Sequence, residues 1–269
     1  MISQKELNKF KAYLIEEEMA PTTIDSYLFS VKLFFQKYKE LTKVNIVNFK
    51  SELLETVSPK TVNLRLCGIA KYSEFKNIPI KIKRIKIQEK TSVENVISIK
   101  QFEKLITSLQ EDGNERWATY FLILGKTGAR VSEAIRFTKS DLDRGFAEMH
   151  TKGKIRKIYF PKSLITQIEH FYETSEPSEY LIVNRYGQQM TTRGVSQELK
   201  NYCKKYGIPD NVAHPHSFRH MFAIEFLKRN NNISLLADLL GHADISTTMI
   251  YLRQSQKDQI KAINKAVNW

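Results

Sequence analysis

Cysteine is scarce, and the two present, Cys67 and Cys203, stand far apart without metal-ligand spacing around them. That excludes a disulfide framework and a cysteine-based zinc module, and a reducing cytoplasm is the expected compartment. Long apolar runs are missing too. Nothing approaches the roughly 20 residues of a membrane-spanning helix, and the start, Met1-Ile-Ser-Gln-Lys-Glu-Leu7, is charged and has no apolar h-region; a chain that is neither exported nor membrane-bound is expected. Acidic residues are in deficit, 29 Asp plus Glu against 42 Lys plus Arg, for a formal charge of +13. The cations run along the whole chain, the distribution that a phosphate backbone requires of its partner. A merely soluble basic protein would share this composition, so charge points to nucleic acid without establishing it.

With 269 residues, 42% of them hydrophobic, the chain is long enough for two domains with cores of their own. Residues 3–77 read as a compact helical unit. Ser3 and Glu6 have capping-box spacing ahead of Leu7, Phe10 and Leu14. Pro21-Thr-Thr opens a second helix with Ile24, Leu28, Val31 and Phe35 on one face, and a shorter third covers about residues 45–54. Ser58-Pro59 starts a fourth, burying Val62, Leu66, Ile69 and Ala70 and leaving Lys60, Asn63, Arg65 and Lys71 for solvent or a nucleic acid. In residues 78–90 apolar and basic side chains alternate and the helical period vanishes, consistent with either an extended linker or an edge strand. A boundary falls there in both cases: we expect a helical domain at 1–80, a basic linker at 81–96 and a second domain at 97–269.

The second domain is helical through Phe102, Leu105 and Ile106, then from Trp117 to Leu124 and from Val131 to Phe137. Residues 146–160 carry the best strand signal, with a turn at Lys152-Gly153, and helices dominate after it. The expected fold is mainly α with one small β-hairpin.

The chemistry concentrates at a few places. Thr127-Gly-Ala-Arg130-Val-Ser-Glu133 sets a guanidinium at a helix start with a carboxylate three residues on, either an anion site with an oriented fork or a structural ion pair. In His214-Pro-His-Ser-Phe-Arg-His220, His216 and Arg219 share a helical face and could grip one phosphate together; a capped helix with a core histidine is the plainer alternative. Leu239-Leu-Gly241-His242 reads as a helix end with glycine in the left-handed cap and His242 just beyond. Ser246-Thr-Thr248 is expected to cap a further helix bearing Tyr251, a residue type more often found in a core.

Taken in order, Thr-Gly-Ala-Arg130, a hairpin lysine at Lys152, His216-x-x-Arg219-His220, Leu-Leu-Gly-His242 and Thr-Thr-x-x-Tyr251 resemble the tyrosine recombinases, the phage-integrase or Xer-like family, over almost the whole chain. The resemblance implies a two-domain DNA clamp, a helical core-binding domain plus a catalytic domain. It also implies an enzyme that cleaves and rejoins DNA at specific sites through a 3'-phosphotyrosyl intermediate, with no metal, nucleotide or other cofactor. Arg130 and Arg219 would hold the scissile phosphate, as guanidinium forks suit its non-bridging oxygens. Tyr251 would attack, His216 would take its proton, since a phenol of pKa about 10 needs help at neutral pH, and Lys152 would protonate the leaving 5'-oxygen. His242 would donate a hydrogen bond to the phosphate, with Glu133 supporting Arg130 and His220 mainly structural.

The hairpin departs from the family pattern, because Thr-Lys152-Gly-Lys154 stands where Gly-Lys-Gly is usual, so Lys154 is the alternative acid. Ser217-Phe218 and the Leu-Arg after Tyr251 also differ, without removing a reacting group. Lys60, Asn63 and Arg65, with Lys83 and Arg84 of the linker, are the expected contacts to a double-stranded DNA site. Residues 254–269 form an amphipathic tail with Ile260, Ile263, Val267 and Trp269 on one stripe; the resemblance implies that it docks on a neighbour, giving a tetramer around two duplexes in the cytoplasm, at the nucleoid. A type IB topoisomerase-like relaxase and a non-catalytic architectural DNA-binding protein are the competing readings. With no evident extra arm-binding domain, a simple Xer-like or inversion system is favoured over a more elaborate integrase.

Overall fold

The structure, a computed structural model, describes residues 2–87, 94–151, 154–176, 178–242, 244–252 and 264–267, with the side chains of Thr151 and Lys154 outside that description. It divides into two units, Met1–Glu89 and Lys90–Trp269.

The first unit contains α1 (Gln4–Glu16), α2 (Pro21–Lys37), α3 (Lys43–Thr56) and α4 (Pro59–Phe75). Side-chain caps start three of them: Ser3, Thr42 and Ser58 accept from the amides of Glu6, Asn45 and Thr61, each removing one orphan donor of a first turn. Pro21 and Pro59 occupy helix starts, where a missing N–H costs nothing. Phe10, Leu14, Val31, Phe34, Phe49, Val62, Leu66 and Ile69 fill the core. Phe34 is its centre on α2, whereas the expected Leu28 and Phe35 are only partly buried. The expected capping box at α1 is half made. The Glu6 carboxylate turns instead to Lys76 Nζ at 2.7 Å and the Tyr72 hydroxyl at 3.3 Å, joining the two ends of the unit's chain.

After α4 the chain runs without regular secondary structure through residue 87. Its apolar residues Ile80, Ile82 and Ile85 pack onto the helical core, which accounts for the alternation in the sequence. The segment lies on the helices as a strap, its backbone polar groups met by side chains in place of a strand partner. The Asn63 amide donates to Ile85 O at 2.9 Å and accepts from Ile85 N at 2.8 Å. Lys50 Nζ donates to Lys83 O at 3.1 Å, and Lys43 Nζ to Lys81 O. Residues 81–87, expected as linker, thus belong to the first unit, and residues 88–93 lie outside the described residues.

The second unit is built around α6 (Glu115–Thr127), which is buried on nearly every side, as a helix apolar all round must be. Around it stand α5 (Ile99–Glu111), α9 (Lys162–Thr174) and α11 (Pro215–Arg229). Fully buried Phe121 packs edge-on against Phe218 of α11; truncating Phe121 to alanine would cost about 3–5 kcal/mol. The chain enters through Ile97, whose amide donates to Ser217 Oγ at 2.6 Å, fastening it to the first turn of α11.

Short α7 (Val131–Ala134) and α8 (Lys139–Arg144) lead into the antiparallel hairpin β1 (Phe146–Thr151) and β2 (Lys154–Tyr159), paired from Phe146–Tyr159 to Thr151–Lys154. The helix expected over 131–137 thus ends three residues early. Its Glu133 is drawn into ion pairs and the chain turns at Ile135. Then follow α10 (Thr192–Lys205), a 3-10 turn at Asp210–Val212, α11, α12 (Ile233–Leu240) and α13 (Ser246–Met249). The fold is mainly α with one small antiparallel sheet. Of the expected tail helix 254–269, all but residues 264–267 lie outside the described residues. No described helix is long and apolar enough to cross a membrane.

Candidate active site

The site begins with a turn that only glycine fits. Gly128 closes α6 at φ 62°, in the left-handed region, and a Cβ there would stand 2.5 Å from the Phe222 ring. The turn delivers Arg130 to the start of α7. There the Glu133 carboxylate accepts from the Arg130 amide at 2.8 Å with one oxygen and from Arg130 Nη1 at 3.0 Å with the other. Arg156 on β2 donates to the first of those oxygens at 2.5 Å. Burial pushes the Glu133 carboxyl up, but the Arg130 amide and the charges of Arg156 and Arg130 outweigh it and hold its pKa below the ordinary value. Glu133 therefore stays ionised and fixes both forks.

The second guanidinium comes from α11. His214 caps this helix, its Nδ1 accepting from Ser217 N at 3.1 Å, and Pro215 occupies the first turn. One turn on, Arg219 is 3% exposed. It donates to Gly128 O at 2.8 Å, to Leu240 O at 2.5 Å and to His242 Nε2 at 3.2 Å. A guanidinium has five donors, so this grip does not exhaust it. Arg219 thus ties the end of α6 to the end of α12. Gly241, at φ 62°, ends α12, and its Cα faces Arg156 so closely that a Cβ would lie 2.3 Å from Arg156 Cδ. Arg156 also donates to Leu239 O at 2.7 Å. The His242 turn is consequently held from two sides.

Because arginine only donates, His242 Nε2 accepts here, and its Nδ1–H donates to Thr248 Oγ1 at 2.7 Å. Donating Nε2–H to a phosphate requires the other tautomer, which Thr248 permits, since a hydroxyl can also donate. Thr248 accordingly serves His242 and does not cap α13. Ile245 stands at the cap position without a side-chain bond, and Asp244 Oδ1 just before it accepts from Ser246 N at 2.8 Å.

Tyr251 lies just past α13, partly buried among Ala223, Leu227, Leu236 and Leu240. Burial raises its pKa against the pull of Arg219 and Arg130, so the phenol is protonated near neutral pH. Its hydroxyl meets His220 Nδ1 at 2.7 Å. His220, expected to be mainly structural, thus faces the phenol from α11, with the His216 ring 6.2 Å from that of His220. Burial first, and then the neighbouring cations, lower all three imidazoles: His216 is lowered, and His220 and His242 reach about 4. Arg219, itself depressed to about 10 by burial and by Arg130 and Arg156, remains a cation.

Arg130, Glu133, His216, Arg219, His220, His242 and Tyr251 therefore come together from α6–α7, α11, α12 and the turn after α13. Arg130 and Arg156 are both paired with the carboxylate of Glu133, and Arg219 adds a third guanidinium whose charge is felt by the other two. Such a cluster is poised for an anion. No group of three His, Cys, Asp or Glu side chains among the described residues could hold a metal ion. Lys152, at the hairpin tip, lies outside the described residues, as does the side chain of Lys154.

Arg156 escaped the sequence reading. It is one of several basic residues in Lys154-Ile-Arg-Lys157, and only its partners, 23 and 83 positions away, distinguish it. In the first unit, Lys60, Lys83 and Arg84 are exposed. Asn63 is not available as expected, because both ends of its amide hold Ile85. Arg65 lies over the exposed Phe29 ring at 4.4 Å. Lys71 is taken up by Glu17 and Glu74 at 2.8 and 3.0 Å.

Residues 95–258 match the Phage integrase family. Tyrosine recombinase XerA of Thermococcus kodakarensis is 30% identical over 270 residues, covering 97% of this chain and 94% of that protein. The TnP I resolvase of Bacillus thuringiensis is 24% identical, covering 92% of this chain and 95% of its own length. Among solved structures, the Tn1549 transposon integrase in complex with transposon right end DNA superposes with a TM-score of 0.76 at 15% identity, covering 98% of this chain and 99% of its own, a likeness of fold.

Proposed function

The chain belongs to the phage integrase family, the tyrosine recombinases, and from that premise we propose that it cleaves and rejoins DNA at specific sites with Tyr251 as nucleophile. One observation carries the assignment of the site: the Tyr251 hydroxyl, bonded to His220, lies within the field of Arg130 and the buried Arg219, whose charges lower its pKa against the effect of burial. Arg130 and Arg219 bind the scissile phosphate and stabilise the extra charge of the pentacoordinate transition state. His242 adds a hydrogen bond in its Nε2–H tautomer. Tyr251 Oη attacks phosphorus, forming a 3'-phosphotyrosyl bond that conserves the bond energy for religation to another strand. Lys152 protonates the departing 5'-oxygen. The chain itself supplies every group this scheme names, with no metal or nucleotide cofactor.

The test is to incubate wild-type protein and Tyr251→Phe with DNA from the native locus, quench with detergent, and look for protein covalently attached to DNA with and without EDTA. An adduct from wild type alone, unaffected by EDTA, is the expected result. Binding to a demonstrated target with no adduct would overturn the proposal in favour of an architectural role.

The partner is double-stranded DNA, with Lys60, Arg65, Lys83 and Arg84 on phosphates. Four copies assemble on two duplexes through residues 254–269, in the cytoplasm at the nucleoid. The amphipathic stripe of the tail supports that assembly. Deleting the residues after Gln256 would abolish strand exchange while sparing cleavage of single sites; a tail that folds on its own unit would lose both comparably.

A further inference from the structure

The hydrogen bond between His220 and Tyr251 carries a step that the family resemblance gave to another residue. We infer that His220 is the group that takes the proton of Tyr251 when the phenol attacks DNA, an inference that rests on Tyr251 being the nucleophile. A general base must first lie within reach of the proton it removes, about 2.6–3.2 Å between heavy atoms. His220 Nδ1 is 2.7 Å from Tyr251 Oη, and the two rings are 5.5 Å apart.

The protonation states agree with this direction of transfer. The phenol is protonated, and the His220 imidazole is neutral, its pKa depressed by burial and by His216, His214 and Arg219. With its hydrogen on Nε2, the ring presents the Nδ1 lone pair to the hydroxyl. As the bond from Oη to phosphorus forms, the phenolic proton passes to Nδ1 and His220 becomes an imidazolium. The bond from phosphorus to the 5'-oxygen breaks, and that oxygen takes a proton from the general acid. In religation the 5'-hydroxyl attacks, its proton returns to the acid, and Oη leaves with the proton held by His220. The scissile phosphate brings a negative charge among Arg130, Arg219 and His216, offsetting the cations that resist protonation of His220.

The experiment compares wild type and His220→Asn on the DNA fragment to which wild type becomes attached, each with either tyrosine or a fluorinated, more acidic tyrosine at position 251. Asparagine keeps a polar atom near the place of Nδ1 but cannot take a proton. His220→Asn should form the adduct on the order of 100-fold more slowly at unchanged DNA affinity, and the more acidic phenol should restore most of that loss while changing wild type little. A rate within threefold of wild type, or a slow rate that the acidic phenol does not recover, would overturn the inference. If His220→Asn fails to fold, as judged by its melting transition, the same comparison on His220→Gln decides. Absence of any adduct from wild type would instead refute the recombinase reading itself.

Discussion

The two halves of the active site are built to opposite standards. The arginine side is over-determined. Arg130, Arg156 and Arg219 are anchored by Glu133 and by the carbonyls of Gly128, Leu239 and Leu240, groups far apart in sequence and locked by two glycines that admit no Cβ. The nucleophile side is lighter: a helix of four residues, a turn, apolar packing of Tyr251 on α11 and α12, and 2.7 Å contacts from Thr248 to His242 and from Tyr251 to His220. The difference teaches where this protein keeps rigidity. Transition-state charge is stabilised best by donors that need not reorganise, whereas a tyrosine that becomes covalently attached to a strand must travel with it. Short, sparsely packed elements are the ones that open at low free energy.

The largest way to break this comparison is Tyr251→Phe, which should abolish the covalent adduct while DNA affinity, read by gel shift, stays unchanged. Arg219→Ala attacks the other half and should do more than stop cleavage. It strips donors from two buried carbonyls, and a melting-temperature loss equivalent to about 2–4 kcal/mol is expected. If Arg219→Ala left stability intact, the arginine side would not be the rigid one.

Arg156→Gln sharpens the contrast. Arg156 touches Glu133 and the His242 turn, so cleavage should fall by about one to two orders of magnitude, and Glu133→Gln on top of it should add little, as expected for residues sharing one network. Full additivity would remove Arg156 from the scaffold.

Acid should act on both halves. His220 and His242 have folded pKa values near 4, below the ordinary 6.5. The unfolded chain therefore binds protons first, and stability that is complete above pH 6.5 is lost as pH falls toward 4. A thermal melt at each pH, with His242→Gln giving a flatter profile, measures it. The smallest effect is expected in the first unit. Lys83→Ala should lower the slope of log affinity against log salt by about one, leaving the rate of cleavage of bound DNA unchanged.

How much of this was legible in the sequence follows from the range of each interaction. Caps and helix faces depend on neighbours three or four positions away, so Ser58-Pro59, the α1 face and the left-handed Gly241 could be read directly. The candidate site residues could be named because their order and spacing resemble a family. What escaped was decided at long range. Glu6 abandons its capping box for Lys76, Asn63 turns from solvent to Ile85, Arg156 outranks the lysines beside it, and Thr248 faces His242. In each, the partner lies beyond the reach of one helical turn or was not the one local spacing offered, and periodicity says nothing of that choice. His220 is the same case, since only the path of the chain after α12 brings the Tyr251 hydroxyl to it.

The bond from the Ile97 amide to Ser217 Oγ has a mechanical side. It spans 120 positions of sequence, is buried, and joins the chain just before α5 to the turn that bears His216. The same stretch is pinned a second time, by the Asn211 amide donating to Asn95 Oδ1 at 2.9 Å, and Ile97 itself is buried in the core. The residues that open the second unit therefore set the place of the first turn of α11, and with it the root from which His216 and Arg219 project.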